Sequence, residues 1–225
     1  MKILLSLDFG PVFKYINTFL NGVLGTLGFS VATIVIGSIL GFLLCLVRIS
    51  KFKPISLLAQ GYIGIIRGTP MLIQLFIFAY GIPMFFGIDI DLTIAGIIAL
   101  GLNSTAYVAE IFRAGIQAVD PGQMEGCRAM GYSYNFAMWK IVFPQAVKNI
   151  LPSLGNEFVT IVKESSIISV IGLTDITRAS DLAKAGTARV LESLLFAAVL
   201  YLIITTVLSY LIKLLERKLN AYAKK

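Results

Sequence analysis

An otherwise apolar chain carries one dense polar stripe, Asn156-Glu157-Phe158-Val159-Thr160-Ile161-Val162-Lys163-Glu164-Ser165-Ser166. On a helix, Glu157, Thr160 and Glu164 fall at i, i+3 and i+7 and share one face, with Asn156, Thr160 and Lys163 on the neighbouring strip. Polar and ionisable groups at this density are costly inside a membrane, so the stripe must face protein or a water-filled path. A carboxylate among amides and hydroxyls can hold a zwitterion, and Glu157 suits an ammonium or guanidinium group. The plainer alternative is a self-satisfied Lys163–Glu157/Glu164 cluster that only ties helices together. A second polar patch, Asn103-Ser104-Thr105, falls midway along another apolar segment. Arg67, in Arg67-Gly68-Thr69-Pro70, must snorkel, pair or face a cavity, while Glu110 and Arg113 are one turn apart and expected to pair locally. The substrate-binding candidates are therefore Asn103, Ser104, Asn156, Glu157, Thr160 and Glu164. No catalytic set is proposed and no metal set: the chain has no histidine, which excludes histidine ligands and shuttles. Cys45 and Cys127 are not expected to form a disulfide.

The elements that must position these groups follow from composition. Of 225 residues, 57% are hydrophobic and only 14% charged, against about 25% charged in soluble domains; the mean hydropathy is +0.87. These values specify an all-α integral membrane protein, read as a single domain over 1–225. The net charge of +7 is distributed as topology requires rather than as a nucleic-acid surface. The first residues, MKILLSLDFG, lack a convincing cleavage site and are not read as a cleaved signal peptide; they could lie along the membrane surface. Five spans are expected, at about 15–47, 57–86, 92–112, 145–171 and 192–213, each at least the ~20 residues a bilayer needs, the first long enough to tilt or protrude. Gly37-Ser-Ile-Leu-Gly41 suits close helix packing. Thr69 can cap and Pro70 can start a fresh helix, so the second span is broken or kinked, and Pro152 should kink the fourth. The 173–190 loop mixes Asp175, Arg178, Asp181, Lys184 and Arg189 and is expected to be exposed.

Between the third and fourth spans lies DPGQMEGCRAMGYSYNFAMWKIVFP, from Asp120 to Pro144. Asp120 can cap a short helix with Pro121 at its first position and Gln123 as the partner of a capping box. Gly131 suits the left-handed residue past its end, and Ser133 can cap a second short helix that stops before Pro144. This stretch resembles a signature of the membrane subunits of binding-protein-dependent ABC importers: E-A-A, three residues, G, nine residues, I-x-L-P. Glu125-Gly126-Cys127, Gly131 and Ile141-Val142-Phe143-Pro144 match its spacing. Gly126 and Cys127 replace two alanines and Phe143 the leucine. Arg67-Gly68-Thr69-Pro70 with Gln74, the Tyr107-Val-Ala-Glu110-Ile-Phe-Arg113 ending, and the Asn156-Glu157-Phe158 and Lys163-Glu164-Ser165-Ser166 segments resemble the polar amino-acid uptake branch of that family.

The resemblance implies a type I importer permease fold with five transmembrane helices and a cytoplasmic coupling helix, the coupling loop spanning 113–144. It implies that Glu125, Gly126, Cys127, Arg128 and Gly131 serve coupling to an ATPase. It also implies two permease chains, two cytoplasmic ABC ATPase subunits and an extracytoplasmic amino-acid-binding protein. A second copy of this chain is the simpler permease partner, a paralogue the other. The chain holds no G-x-x-x-x-G-K-[ST] loop, so it is read as a transport subunit without cofactor, with ATP and Mg bound by the partner ATPase. The positive-inside rule places Arg48, Lys51, Lys53, Arg113, Arg128, Lys140, Lys148 and the tail (Lys213, Arg217, Lys218, Lys224, Lys225) in the cytoplasm. Only Lys2, Lys14, Arg178, Lys184 and Arg189 then lie outside, with the N-terminus. The expected function is ATP-driven import of a polar, basic L-amino acid across the cell membrane by alternating access. The alternatives are an ion-coupled secondary transporter or channel using Glu157, Lys163 and Glu164 as a relay, and a non-transporting scaffold. No nucleic-acid partner is expected.

Overall fold

The computed structural model describes residues 7–223, with side chains to 218; Lys2, Lys224, Lys225 and the start of the N-terminal segment lie outside the described residues. The chain is helical: α1 (Gly10–Phe13), α2 (Ile16–Arg48), α3 (Lys53–Gly68), α4 (Met71–Phe86, with a π-helical Ile77–Gly81) and α5 (Leu92–Gln117). Then come α6 (Pro121–Ala129), α7 over 134–164, α8 (Ile176–Thr187) and α9 (Val190–Ala223). Among the described residues, α2, α5 and the Val190–Lys218 part of α9 are long and apolar enough to cross a membrane, and α3 with α4 qualify together as one broken span. The polar stripe keeps α7 out of that set.

The chain divides into two compact units. The first comprises Met1–Thr33, Met71–Leu100 and Val159–Leu208. One of its cores joins Val12, Phe19, Ile176, Ala179, Ala183 and Ala197, with the Phe19 and Phe196 rings edge to face at 4.7 Å. A second joins Leu75, Ala79, Ala95, Ala99 and Ile171. Asp175 is fully buried and caps α8 by accepting from the Thr177 and Arg178 amides at 3.1 and 2.7 Å. It also accepts from the Tyr201 hydroxyl at 3.0 Å, while Thr26 Oγ1 accepts from the Ile176 amide at 3.2 Å. Burial pushes the Asp175 carboxyl above its ordinary value, against the lowering effect of these bonds. Gly22 and Gly25 give the Thr174–Asp175 backbone room against α2: a Cβ at either would collide with it.

The second unit comprises Ile34–Pro70, Gly101–Phe158 and Ser209–Lys225. Its core joins Cys45, Ile63, Ala106 and Ala109, packed by Tyr62, Phe112 and Ile116. The Gly37 and Gly41 pair performs the close packing its spacing predicts. A Cβ on Gly37 would collide with Ser104, and one on Gly41 would come within 2.8 Å of Val108. Ser104 and Val108 are themselves four residues apart, so α2 and α5 meet along matching steps.

Several expectations need correction. The 173–190 segment is not simply exposed: Asp175 is buried, α8 buries Ile176, Ala179, Ser180 and Ala183, and Arg178, Asp181 and Lys184 are half-buried. Scattered charge along a helix is compatible with one buried face. The second short helix does not stop before Pro144. It runs on as α7 through a π-helical Met138–Val142, where the Phe143 amide donates to Met138 rather than to the fourth residue back. A proline needs a missing donor and a displaced carbonyl, and the wider turn just before Pro144 accommodates it. The third span continues to Gln117. Pro152 lies inside α7. The break in the second span falls where it is expected, between Gly68 and Met71, and the Thr69 hydroxyl there donates back to the Ile65 carbonyl at 2.8 Å.

Gly37→Ala should lower the thermal stability of the purified protein by about 1–3 kcal/mol, the usual cost of overpacking. Gly28→Ala, where an added Cβ meets nothing within 4 Å, should leave the melting temperature unchanged or slightly higher. Equal melting temperatures for the two variants would contradict the contact.

Candidate functional site

In the second unit, α3, α5 and α7 enclose a cleft of about 630 Å³, within the ~300–1,000 Å³ range of ligand pockets. Its charged walls are Arg67, Glu110, Arg113 and Glu157. Glu110 and Arg113 form the expected pair, closer than an ordinary surface contact: Arg113 Nη2 donates to Glu110 Oε2 at 2.6 Å and Nε to Oε1 at 3.1 Å. Arg113 Nη1 also reaches Gln117 Oε1 at 2.6 Å. Arg67 lies 4.0 Å from the same carboxylate and 5.1 Å above the centre of the Tyr107 ring, a cation–π arrangement. Two interactions thus hold Arg67 at the cleft.

The remaining wall comes from α7, where Asn149, Ser153 and Glu157 line the cleft at steps of four. That periodicity was available in the sequence, yet Asn149 and Ser153 were missed because their polarity is ordinary near a helix end. Tyr107 was also missed as a site residue, since nothing local marks a tyrosine that lies under an arginine. Of the predicted binding residues only Glu157 lines this cleft. Asn103 and Ser104 are buried within the helix packing, Ser104 against Gly37, and Asn156 is exposed beside Glu157 on α7.

Thr160 and Glu164 belong to the first unit. There they line a depression of about 450 Å³ together with Met71, Lys163, Ser166 and Ile167. Lys163 and Glu164 are exposed on the chain's own surface. Within the second unit Glu157 thus lines a cavity, and within the first Thr160 and Glu164 line another.

The coupling segment folds as its caps dictate. Asp120 accepts from the Gly122 amide at 2.9 Å, Ser133 from the Phe136 amide at 3.2 Å, and Gly131 adopts φ +86°. Gln123 does not close a capping box; its side chain accepts instead from Gln145 Nε2 at 3.2 Å, linking α6 to α7. Glu125 and Gly126 are exposed, and nothing in the chain would meet a Cβ on Gly126. Cys127 turns inward and is buried. Arg128 folds back to donate to the Tyr132 carbonyl at 2.8 Å, closing the reversal. The outward surface of α6 thus offers Glu125 and a bare glycine, while Cys127, Arg128 and Gly131 hold its shape.

Residues 33–221 match the family model described as binding-protein-dependent transport system inner membrane component. The arginine transport system permease protein ArtQ of Bacillus subtilis is 42% identical over 217 residues, 96% of this chain and 99% of ArtQ. A Rickettsia conorii relative, GlnP, whose name includes glutamine transport system permease protein, is 41% identical over 199 residues, 88% of this chain and 91% of its own. Among solved structures, a chain of an amino acid ABC transporter solved with histidines superposes with a TM-score of 0.91 at 45% identity, covering 95% of this chain and all of its own. A chain of the MetNI methionine ABC transporter in an inward-facing conformation shares the fold, with a TM-score of 0.76 at 19% identity over 93% of this chain and 98% of its own. With matched α6 spacing and a family match over most of its length, the chain belongs to the inner membrane components of binding-protein-dependent transport systems.

Proposed function

We propose that the chain, as the permease subunit of an ABC importer for amino acids, translocates a cationic L-amino acid by alternating access. The observation that carries this reading is the cleft in which Arg67 and Glu157 are both wall residues. Arg113 engages Glu110 through three hydrogen bonds, so this ion pair acts as fixed structure. Arg67 then suits the α-carboxylate of an amino acid and Glu157 its charged side chain. The relative named for arginine supports a cationic substrate. Glutamine, in the name of the other relative, shares its α-amino and α-carboxylate groups with arginine, so side-chain charge is the feature that separates the two. Charge-assisted hydrogen bonds are roughly twice as strong as neutral ones.

Orientation and partners follow from the same family logic. The termini lie on opposite sides of five spans, with α7 as the fourth and the C-terminus cytoplasmic. Lys163 and Glu164, exposed on a spanning segment, are too costly to face lipid, which supports a second permease chain covering them. Homomeric symmetry favours a copy of the same chain. A pair of ATPase subunits that binds ATP and Mg engages α6 through Glu125 and Gly126, and an extracytoplasmic binding protein delivers substrate. Coupling requires the ATPase to bind the two transport states with different affinity.

Glu157→Gln should reduce the preference for arginine over glutamine by about tenfold or more, the range expected when a charged hydrogen bond is lost, as read from competition for uptake in proteoliposomes. An unchanged preference would remove Glu157 from recognition. Glu125→Lys and Gly131→Val, the latter forcing a β-branched residue into a left-handed conformation, should each abolish substrate-stimulated uptake while ATP hydrolysis by the assembled complex continues. Normal uptake in both variants would exclude α6 as the coupling element.

A further inference from the structure

A second cavity, of about 450 Å³, lies in the second unit where the end of α2 meets the start of α7. Its lining has an apolar part, Leu46, Ile49, Met138 and Trp139, and a polar part, Ser50, Lys51 and Asn135. Tyr134 also lines it, with Lys51 Nζ 5.5 Å from its ring centre. No acidic residue lines the cavity. Two more basic residues, Arg48 and Lys53, flank it in sequence, and the Arg48 guanidinium is directed to Ser56 at 3.3 Å. Trp139 is 48% exposed although its ring packs on Phe143 at 5.1 Å, so one side is anchored and the other offered outward. A tryptophan and a tyrosine beside a lysine and apolar side chains is the composition of a membrane–water boundary.

We propose that this cavity holds one anionic phospholipid of the cytoplasmic leaflet. Its phosphate lies against Lys51 with hydrogen bonds from Ser50 and Asn135, and an acyl chain runs over Leu46, Ile49 and Trp139. Charge complementarity selects this occupant: a cation with two hydrogen-bonding neighbours and no facing acid favours a net-negative headgroup over a zwitterionic one. Because α7 leads from this cavity to Glu157 and α6 precedes it, a lipid seated here braces the segment through which coupling passes. The inference rests on the inward orientation proposed above.

Trp139 is the only tryptophan of the chain, which provides a direct readout. In the assembled transporter, the fluorescence difference between wild type and Trp139→Phe isolates this residue. Phosphatidylglycerol with brominated chains should half-quench that difference at a mole fraction about fivefold lower than brominated phosphatidylcholine, the selectivity expected of one interfacial lysine. Lys51→Gln should equalise the two lipids and Lys51→Arg should keep the preference. Equal quenching in wild type, or a preference that survives Lys51→Gln, overturns the proposal. Loss of the preference in millimolar inorganic phosphate also overturns it, since the site would then take the free anion. Ser50→Cys should react with a membrane-impermeant maleimide only from the cytoplasmic face. Reaction from outside would overturn the orientation and the leaflet together, whereas inside reaction without lipid preference would overturn the lipid site alone.

Discussion

In hydrocarbon, a helix gains little by covering leucine with leucine, because lipid tails are as apolar as the side chains they replace. What remains is close contact, and this chain obtains it with glycine. In the second unit, Gly37 and Gly41 bring α2 against Ser104 and Val108 of α5, and Gly115 admits Ile150 of α7 in the same way. In the first unit, Gly22 and Gly25 admit the Thr174–Asp175 backbone. The cleft depends on these approaches, since α5 and α7 supply most of its walls. A methyl group at such a position displaces a helix rather than a side chain, which is why packing far from the charges governs where they stand.

The charges themselves are arranged with few spare partners. Glu110 serves Arg113 through direct hydrogen bonds and Arg67 at longer range, while Tyr107 supports Arg67 from below. Fixing one carboxylate between two guanidinium groups satisfies the costliest groups near the cleft and limits how far Arg67 can move. Outside the spans the same economy appears at Asp91, where the Thr93 hydroxyl and the Ile94 and Thr93 amides hold the carboxyl below its usual range. That carboxylate caps α5 and fixes the end of the helix that carries Glu110.

Features legible in the sequence were those set by neighbours within a few residues. The Asp120 and Ser133 caps, the left-handed Gly131, the Glu110–Arg113 pair and the Gly37–Gly41 step all depend on local spacing. The misread features depend on distant structure. The start of helix α8 is held by Tyr201, which donates to Asp175, and by Thr26, which accepts from the Ile176 amide, partners far away in the chain. The passage through Pro144 needed a π turn that no propensity reveals. A helical wheel shows that Glu157, Thr160 and Glu164 share a face, but which cavity each one lines depends on the helices packed along that face. Glu157 consequently lines one cavity and Glu164 another.

The π-helical turn at Met138–Val142 amounts to one residue more than a regular helix would use. One residue is about 100° of rotation about the helix axis. Everything after the turn, including Asn149, Ser153 and Glu157, is therefore set to a different azimuth from the one that an unbroken α-helix starting at Ser133 would impose. The turn works as a gear offset between α6 and the side chains of α7 that line the cleft. Two homologous chains with the same residues but different placement of this turn would present different faces to the cleft, so its lining can diverge by shifting a backbone irregularity instead of exchanging a side chain.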